Sequence, residues 1–95
     1  MEIIMNYDMG KFGKSITNEI IAQKICKDLE LQLEKNDMLI LDFKNIDILT
    51  TTCVKGIFKS ISEKMNSSDF FKRFAFINVS NDLKVIITYG LEDLY

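Results

Sequence analysis

The stretch Leu39–Phe58, LILDFKNIDILTTTCVKGIF, changes along its length from the pattern of a strand to that of a helix. It begins as an apolar run, passes through a short polar segment to three consecutive threonines, and then adopts helical spacing. This order predicts a strand, a loop and a helix. Because a strand that is apolar on both faces needs cover on both, the stretch predicts a sheet with helices packed against it.

Upstream, apolar and polar residues largely alternate over residues 3–9, as in a strand with one solvated face. Gly10 and Gly13 then predict a tight turn. We expect this turn to close an N-terminal hairpin with a short second strand around Lys11–Lys14.

Three helices are predicted from apolar residues at helical spacing. Ser15 or Thr17 is expected to cap the first helix, and Asn36-Asp37 to end it. Residues 66–69 are expected to break the second helix. Asn81 is expected to cap the third, with Gly90 as its left-handed C-terminal residue. The predicted inward-facing residues are Ala22, Ile25, Cys26, Leu29 and Leu33 in the first helix, Val54, Ile57, Phe58, Ile61 and Met65 in the second, and Leu83, Ile86 and Ile87 in the third.

A further strand is predicted at residues 74–79, FAFINV, and Met38–Phe43 is expected to be the central strand. In the loop after it, Ile46 and Ile48 are expected to turn back into the core. Strands that alternate with helices favour parallel pairing with right-handed crossovers. The predicted fold is therefore one α/β domain, residues 1–95, with a mainly parallel sheet of three or four strands and three helices.

The composition argues against several classes of protein. The chain has 95 residues, 47% of them hydrophobic, and a net charge of −2, so it lacks the basic field that holds nucleic acid. No apolar run is long enough to span a membrane, and the N-terminus lacks the pattern of a signal peptide. We therefore expect a cytoplasmic protein that binds neither nucleic acid nor membrane.

The chain has no histidine, which excludes Ser–His and Cys–His nucleophile pairs and histidine-ligated zinc. Cys26 and Cys53 are far apart in sequence and are expected to be reduced. No catalytic residue, cofactor or metal site is predicted, and we expect a protein that is not an enzyme.

Three segments of the chain resemble the STAS domain, the fold of bacterial anti-sigma factor antagonists and of the cytoplasmic tails of sulfate transporters. They are Leu41-Asp42-Phe43, Thr50–Cys53 at the start of a helix, and Gly90-Leu91 near the end of the last helix. The chain looks most similar to the short bacterial STAS-like group without an assigned function. In the antagonists an Asp-Ser-Ser-Gly segment opens the helix, whereas here Thr50 stands for the aspartate, Cys53 for the glycine, and threonine for both serines.

The resemblance implies a signalling module that acts through protein–protein contacts. Antagonists of this type dock on a histidine-kinase-like, ATP-binding anti-sigma factor, which phosphorylates the serine that follows the aspartate. By position that phosphoacceptor is Thr51. Phosphate at a helix N-terminus would meet unpaired N–H groups there and would alter a docking surface strongly. The predicted partner-binding loop and helix comprise Asp47, Thr50, Thr51, Thr52, Cys53, Lys55 and Lys59.

Each of these residues also has a simpler interpretation. The threonines can cap the helix and pack in a tight loop. The lysines can keep one face of the helix solvated. Cys53, which could be a reactive thiol at a helix N-terminus, can instead be an ordinary packed side chain. Asp42, at the end of the central strand, is expected to accept hydrogen bonds from loop N–H groups. The alternatives for function are a small ligand-binding domain or enzyme with a pocket near Asp42 and Thr50, or a subunit that self-associates.

Overall fold

The computed structural model describes all 95 residues as an α/β fold of five short strands and four helices. The strands are β1 (Ile4–Asp8), β2 (Ser15–Ile16), β3 (Met38–Asp42), β4 (Ile48–Leu49) and β5 (Phe74–Ile77). The helices are α1 (Glu19–Lys35), α2 (Thr51–Ser62), α3 (Ser67–Arg73) and α4 (Asn81–Glu92).

The main sheet has the order β1-β3-β5, with both pairs of strands parallel. This confirms the predicted α/β class and the central position of β3. Along β3, Leu39 and Leu41 are buried, whereas Met38, Ile40 and Asp42 on the opposite face are only partly buried. On the two outer strands, Ile4 and Ile77 are exposed. The helices therefore cover only one face of the sheet, and the expectation of cover on both faces is wrong.

The predicted N-terminal hairpin is also wrong, because β2 does not pair with β1. Ser15–Ile16 instead pairs in parallel with Ile48–Leu49 of β4, in a separate two-stranded sheet. The turn after β1 packs against the loop between β3 and β4. Asp8 accepts hydrogen bonds from the Gly10 N–H at 2.9 Å and from the side-chain amide of Asn45 at 3.2 Å. A Cβ at Gly10 would lie 2.9 Å from the Asn45 backbone oxygen, so the two loops touch.

Two helices are capped by residues other than those predicted. Asn18, and not Ser15 or Thr17, caps α1 by accepting the Ile21 N–H at 3.0 Å. Ser80, one residue before Asn81, caps α4. In each case several residues with capping side chains are adjacent, and the tertiary path of the chain selects one of them.

The segment after α2 contains a helix, α3, that the sequence pattern did not indicate. Helix α2 ends at Ser62, before the predicted break at residues 66–69, and Asn66 caps α3 by accepting the Asp69 N–H at 2.8 Å. At the end of α3, Arg73 donates hydrogen bonds to the Leu33, Asn36 and Asp37 carbonyls at 2.7–2.9 Å. These bonds join α3 to the C-terminal end of α1, where helix carbonyls lack intrahelical partners.

The core lies between the sheet and the layer formed by α1, α2 and α4. The predicted inward faces of α1 and α2 are confirmed, with Leu33 partly buried near the end of α1, whereas Met65 is partly buried in the segment that follows α2. Both cysteines are buried free thiols. Of the two loop isoleucines, Ile46 is buried as predicted, but Ile48 is 54% exposed because it lies on the outward side of β4.

Gly90 does not end α4 but lies within it, at the contact with α2. A Cβ at this position would lie 2.4 Å from Val54 Cγ1 and 3.5 Å from the Thr51 carbonyl oxygen. Carbon atoms in contact are normally about 3.5–4.0 Å apart. Gly90 is therefore required for the close approach of two helices, and the predicted left-handed C-terminal role is wrong.

Candidate functional site

The three threonines lie at the junction of β4 and α2. Thr50 is the N-cap residue of α2: its backbone is extended and its Oγ1 accepts the Cys53 N–H at 3.2 Å. The Thr50 N–H donates to the Ile16 carbonyl at 3.3 Å. The start of α2 is therefore attached to the β2–β4 sheet by its own capping residue.

Thr51 and Thr52 are the first two residues of α2, and their side chains differ in accessibility. Thr51 is half-buried, whereas Thr52 is exposed. The first turn of α2 contains no acidic residue, so nothing there offsets the positive end of the helix dipole. The arrangement is chemically suited to carry a negative group on a threonine hydroxyl.

Helices α1 and α4 lie against this end of α2. The Cys53 thiol is buried and donates to the Asn18 carbonyl of α1 at 3.6 Å, so it is a packed side chain in this structure. On the other side, Lys55 forms an ion pair with Asp93, the residue after α4. Lys59, one turn further along α2, is exposed and has no ion pair.

Two apolar side chains in the elements that adjoin the start of α2 are exposed. Ile48 lies two residues before Thr50, and Tyr89, which is 60% exposed, precedes Gly90 at the α2–α4 contact. Asp47, also exposed, is fixed by its N–H bond to the Lys14 carbonyl at 2.9 Å. Aromatic residues such as Tyr89 are enriched in protein interfaces, although a single exposed apolar residue is also common elsewhere on protein surfaces.

Tyr89, in α4, and Asp93, which follows it, were not identified from the sequence. A signal for Tyr89 was present: Val85 and Tyr89 lie four residues apart on the outward side of α4, where both are exposed. Apolar residues at that spacing on the solvent side of a helix indicate a contact surface. The Lys55–Asp93 pair had no signal, since it depends on how α4 ends beside α2.

Asp42 is the last residue of β3, and its carboxylate accepts hydrogen bonds from the segments that follow β3 and β5. Its Oδ1 accepts hydrogen bonds from the Asn78 amide at 3.0 Å and from the Lys44 N–H at 2.9 Å. These two bonds hold the pKa of Asp42 below its ordinary value. Asn78 itself adopts a left-handed backbone conformation, φ 54°, beyond the end of β5.

The chain contains no group of three or more carboxylates or thiols arranged to hold a metal ion. A groove of about 630 Å³ lies along β5 and α4, and neither it nor the other two main grooves is lined by Asp42 or Thr50. The geometry therefore gives no support to a ligand pocket built around those two residues.

Residues 22–84 match the family described as STAS-like domain of unknown function (DUF4325). The matched segment extends from α1 into α4 and contains β3, the threonines and the whole of α2. The chain belongs to this STAS-like family, which confirms the resemblance seen in the sequence. No curated protein and no solved structure matches the chain. None of its helices combines the length and the apolar character needed to cross a membrane.

Proposed function

We propose that this chain is a non-enzymatic regulatory module whose docking surface is the segment Ile48–Cys53 together with the exposed face of the following helix, α2. The observation that carries the proposal is the Thr51-Thr52 pair in the first turn of α2, in a family of STAS-like domains. Ile48 and Tyr89 supply exposed apolar contacts, and Lys59 supplies an unpaired charge. Charged groups at the rim of such a surface would determine the choice and rate of partner binding.

The partner proposed is a histidine-kinase-like, ATP-binding protein of the anti-sigma factor type. It would transfer the γ-phosphoryl group of ATP to the Thr51 hydroxyl oxygen, releasing ADP and the hydroxyl proton. The phosphate adds about 1.5 to 2 negative charges at neutral pH. Because it would lie at a helix N-terminus, it should change the docking surface without unfolding the domain.

Thr50 stands where the anti-sigma factor antagonists have an aspartate, and this difference leaves the helix cap in place. Aspartate and threonine both cap helices well, and Thr50 forms the expected bond to Cys53. The negative charge that precedes the family's phosphoacceptor is absent. A cognate kinase would therefore recognise a neutral hydroxyl group at this position.

The test is phosphorylation by the histidine-kinase-like ATP-binding protein of the same organism, with radiolabelled ATP and magnesium. We expect label in the wild-type chain and in Thr52→Ala, and none in Thr51→Ala. Label that persists in Thr51→Ala but disappears in Thr52→Ala would assign the more exposed hydroxyl as the acceptor. Equal labelling of both variants would remove this end of α2 from the proposal.

A further inference from the structure

Strand β5 is an edge strand with one unpaired side. It pairs with β3 on one side only, since the sheet has the order β1-β3-β5. The Ile77 carbonyl accepts the Phe43 N–H, so Ile77 directs its backbone groups towards β3. Backbone groups alternate in direction along a strand, so the N–H and carbonyl of Phe76 point away from β3. An unpaired edge of this kind can receive a further strand.

An apolar groove of about 630 Å³ lies beside this strand. Ile87 and Leu91 of α4 form one part of it, and Phe71 and Tyr95 lie at its outer side with about half of each side chain exposed. Its apolar lining is Phe71, Phe76, Val79, Ile87, Leu91 and Tyr95. No residue of α2 lines the groove, so it is separate from the docking surface proposed above.

Two unpaired charges of opposite sign lie along the groove. Lys84 and Glu92 both line it, both are exposed, and neither takes part in an ion pair. They are separated by eight positions of α4, about 12 Å along a helix. In an extended peptide, the side chains at positions i and i+4 lie on the same face and are about 13 Å apart. The two charges therefore match the spacing of an extended segment.

We propose that this groove binds an extended peptide segment of another protein, added antiparallel to β5 as a fourth strand of the sheet. The peptide carries an acidic, an apolar and a basic side chain at alternate positions, in that order. The acidic residue pairs with Lys84 and the basic residue with Glu92. The apolar residue lies opposite Phe76, exchanges backbone hydrogen bonds with it, and places its side chain against Ile87 and Leu91. Strand addition gives affinity through the backbone, and the side-chain contacts give specificity.

The probe is the blocked peptide acetyl-Thr-Glu-Thr-Leu-Thr-Lys-Thr-amide, titrated into the full chain and followed by amide NMR shifts. We expect saturable shifts centred on Phe76 and Thr88. The same peptide with an N-methyl group on its leucine cannot donate to the Phe76 carbonyl, and we expect it not to bind. Thr88→Trp, a change at an exposed position that lines the groove, should block binding by filling the groove.

A charge exchange tests the direction of the peptide. The control peptide has glutamate and lysine interchanged, and the matched protein variant is Lys84→Glu/Glu92→Lys. We expect wild type to prefer the original peptide, and the double variant the exchanged one, each by about fivefold or more. Equal affinity of wild type for both peptides, unimpaired binding of the N-methylated peptide, or no binding at millimolar peptide would overturn the proposal.

Discussion

Replacing Gly90 with alanine is expected to force α2 and α4 apart, because the new methyl group has no room. Its carbon would lie 2.4 Å from Val54 Cγ1 and 2.6 Å from Val54 Cβ, whereas carbon contacts are normally about 3.5–4.0 Å. Val54 is itself 1% exposed and lies within α2, where valine strongly prefers one rotamer. A rotamer change cannot remove the clash with Cβ, so the helices must move.

The expected cost combines two opposing effects. Overpacking of a close-packed interior costs about 1–3 kcal/mol, and this contact lies at the severe end of that range. Alanine in place of glycine within a helix returns about 1 kcal/mol. We therefore expect Gly90→Ala to lower the free energy of unfolding by about 2 kcal/mol, which for a chain of this size lowers Tm by about 8–16 °C.

The matched control is Gly56→Ala, which places a methyl group within α2 at its contact with α1. A Cβ at Gly56 would lie 3.4 Å from the Ala22 Cβ, which is ordinary contact. We expect this variant to be as stable as wild type or up to about 1 kcal/mol more stable. Urea denaturation followed by circular dichroism measures both variants. Wild-type stability in Gly90→Ala, or equal losses in the two variants, would refute the close α2–α4 contact.

Two further predictions concern the cap of α2 and the partly buried carboxylate of Asp28. Thr50→Ala should lower the free energy of unfolding by about 1 kcal/mol, measured by urea denaturation, because the Cys53 N–H loses its acceptor, whereas Thr50→Asp should retain the cap. Burial alone would raise the pKa of Asp28, but hydrogen bonds from the Lys11 ammonium and the Tyr7 hydroxyl outweigh it and hold the pKa below 3.8. Because the folded-state pKa is lowered, this contribution to stability is present above pH 3.8 and is lost as the pH falls through the folded-state value. Asp28→Asn should therefore be less stable than wild type at neutral pH, and the difference should shrink in thermal unfolding below pH 4. A difference that is constant with pH would contradict it.

The parts of the fold that the sequence predicted are those determined by burial on one side of an element. The apolar stripe of α2 from Val54 to Ile61 is regular because one face of that helix meets the core. The apolar run of β3 identified the central strand, but because it is apolar on both faces it also led to the wrong expectation of helices on both, whereas only Leu39 and Leu41 are buried. Such patterns depend on local spacing, so they can be recognised without knowing which elements are neighbours.

The parts that the sequence did not predict depend on neighbours. Ser15 was available as a cap, but its pairing with Ile48 of β4 commits it to a strand and leaves the capping role to Asn18. Gly90 was interpreted through backbone conformation, whereas its role is to admit Val54. At the candidate site, Lys55 was expected to face a partner, and only the position of Asp93 shows that an ion pair already engages it.

The most direct test of the proposed docking surface is the affinity of the chain for the histidine-kinase-like ATP-binding protein of the same organism, measured by calorimetry. We compare wild type with Thr51→Asp and Lys59→Glu, and use Lys27→Glu, an exposed change on α1, as the control. We expect the first two variants to bind at least about tenfold more weakly, a difference of about 1.4 kcal/mol, and the control to bind as wild type does. Wild-type affinity in both Thr51→Asp and Lys59→Glu would show that neither the start of α2 nor its exposed face is the docking surface.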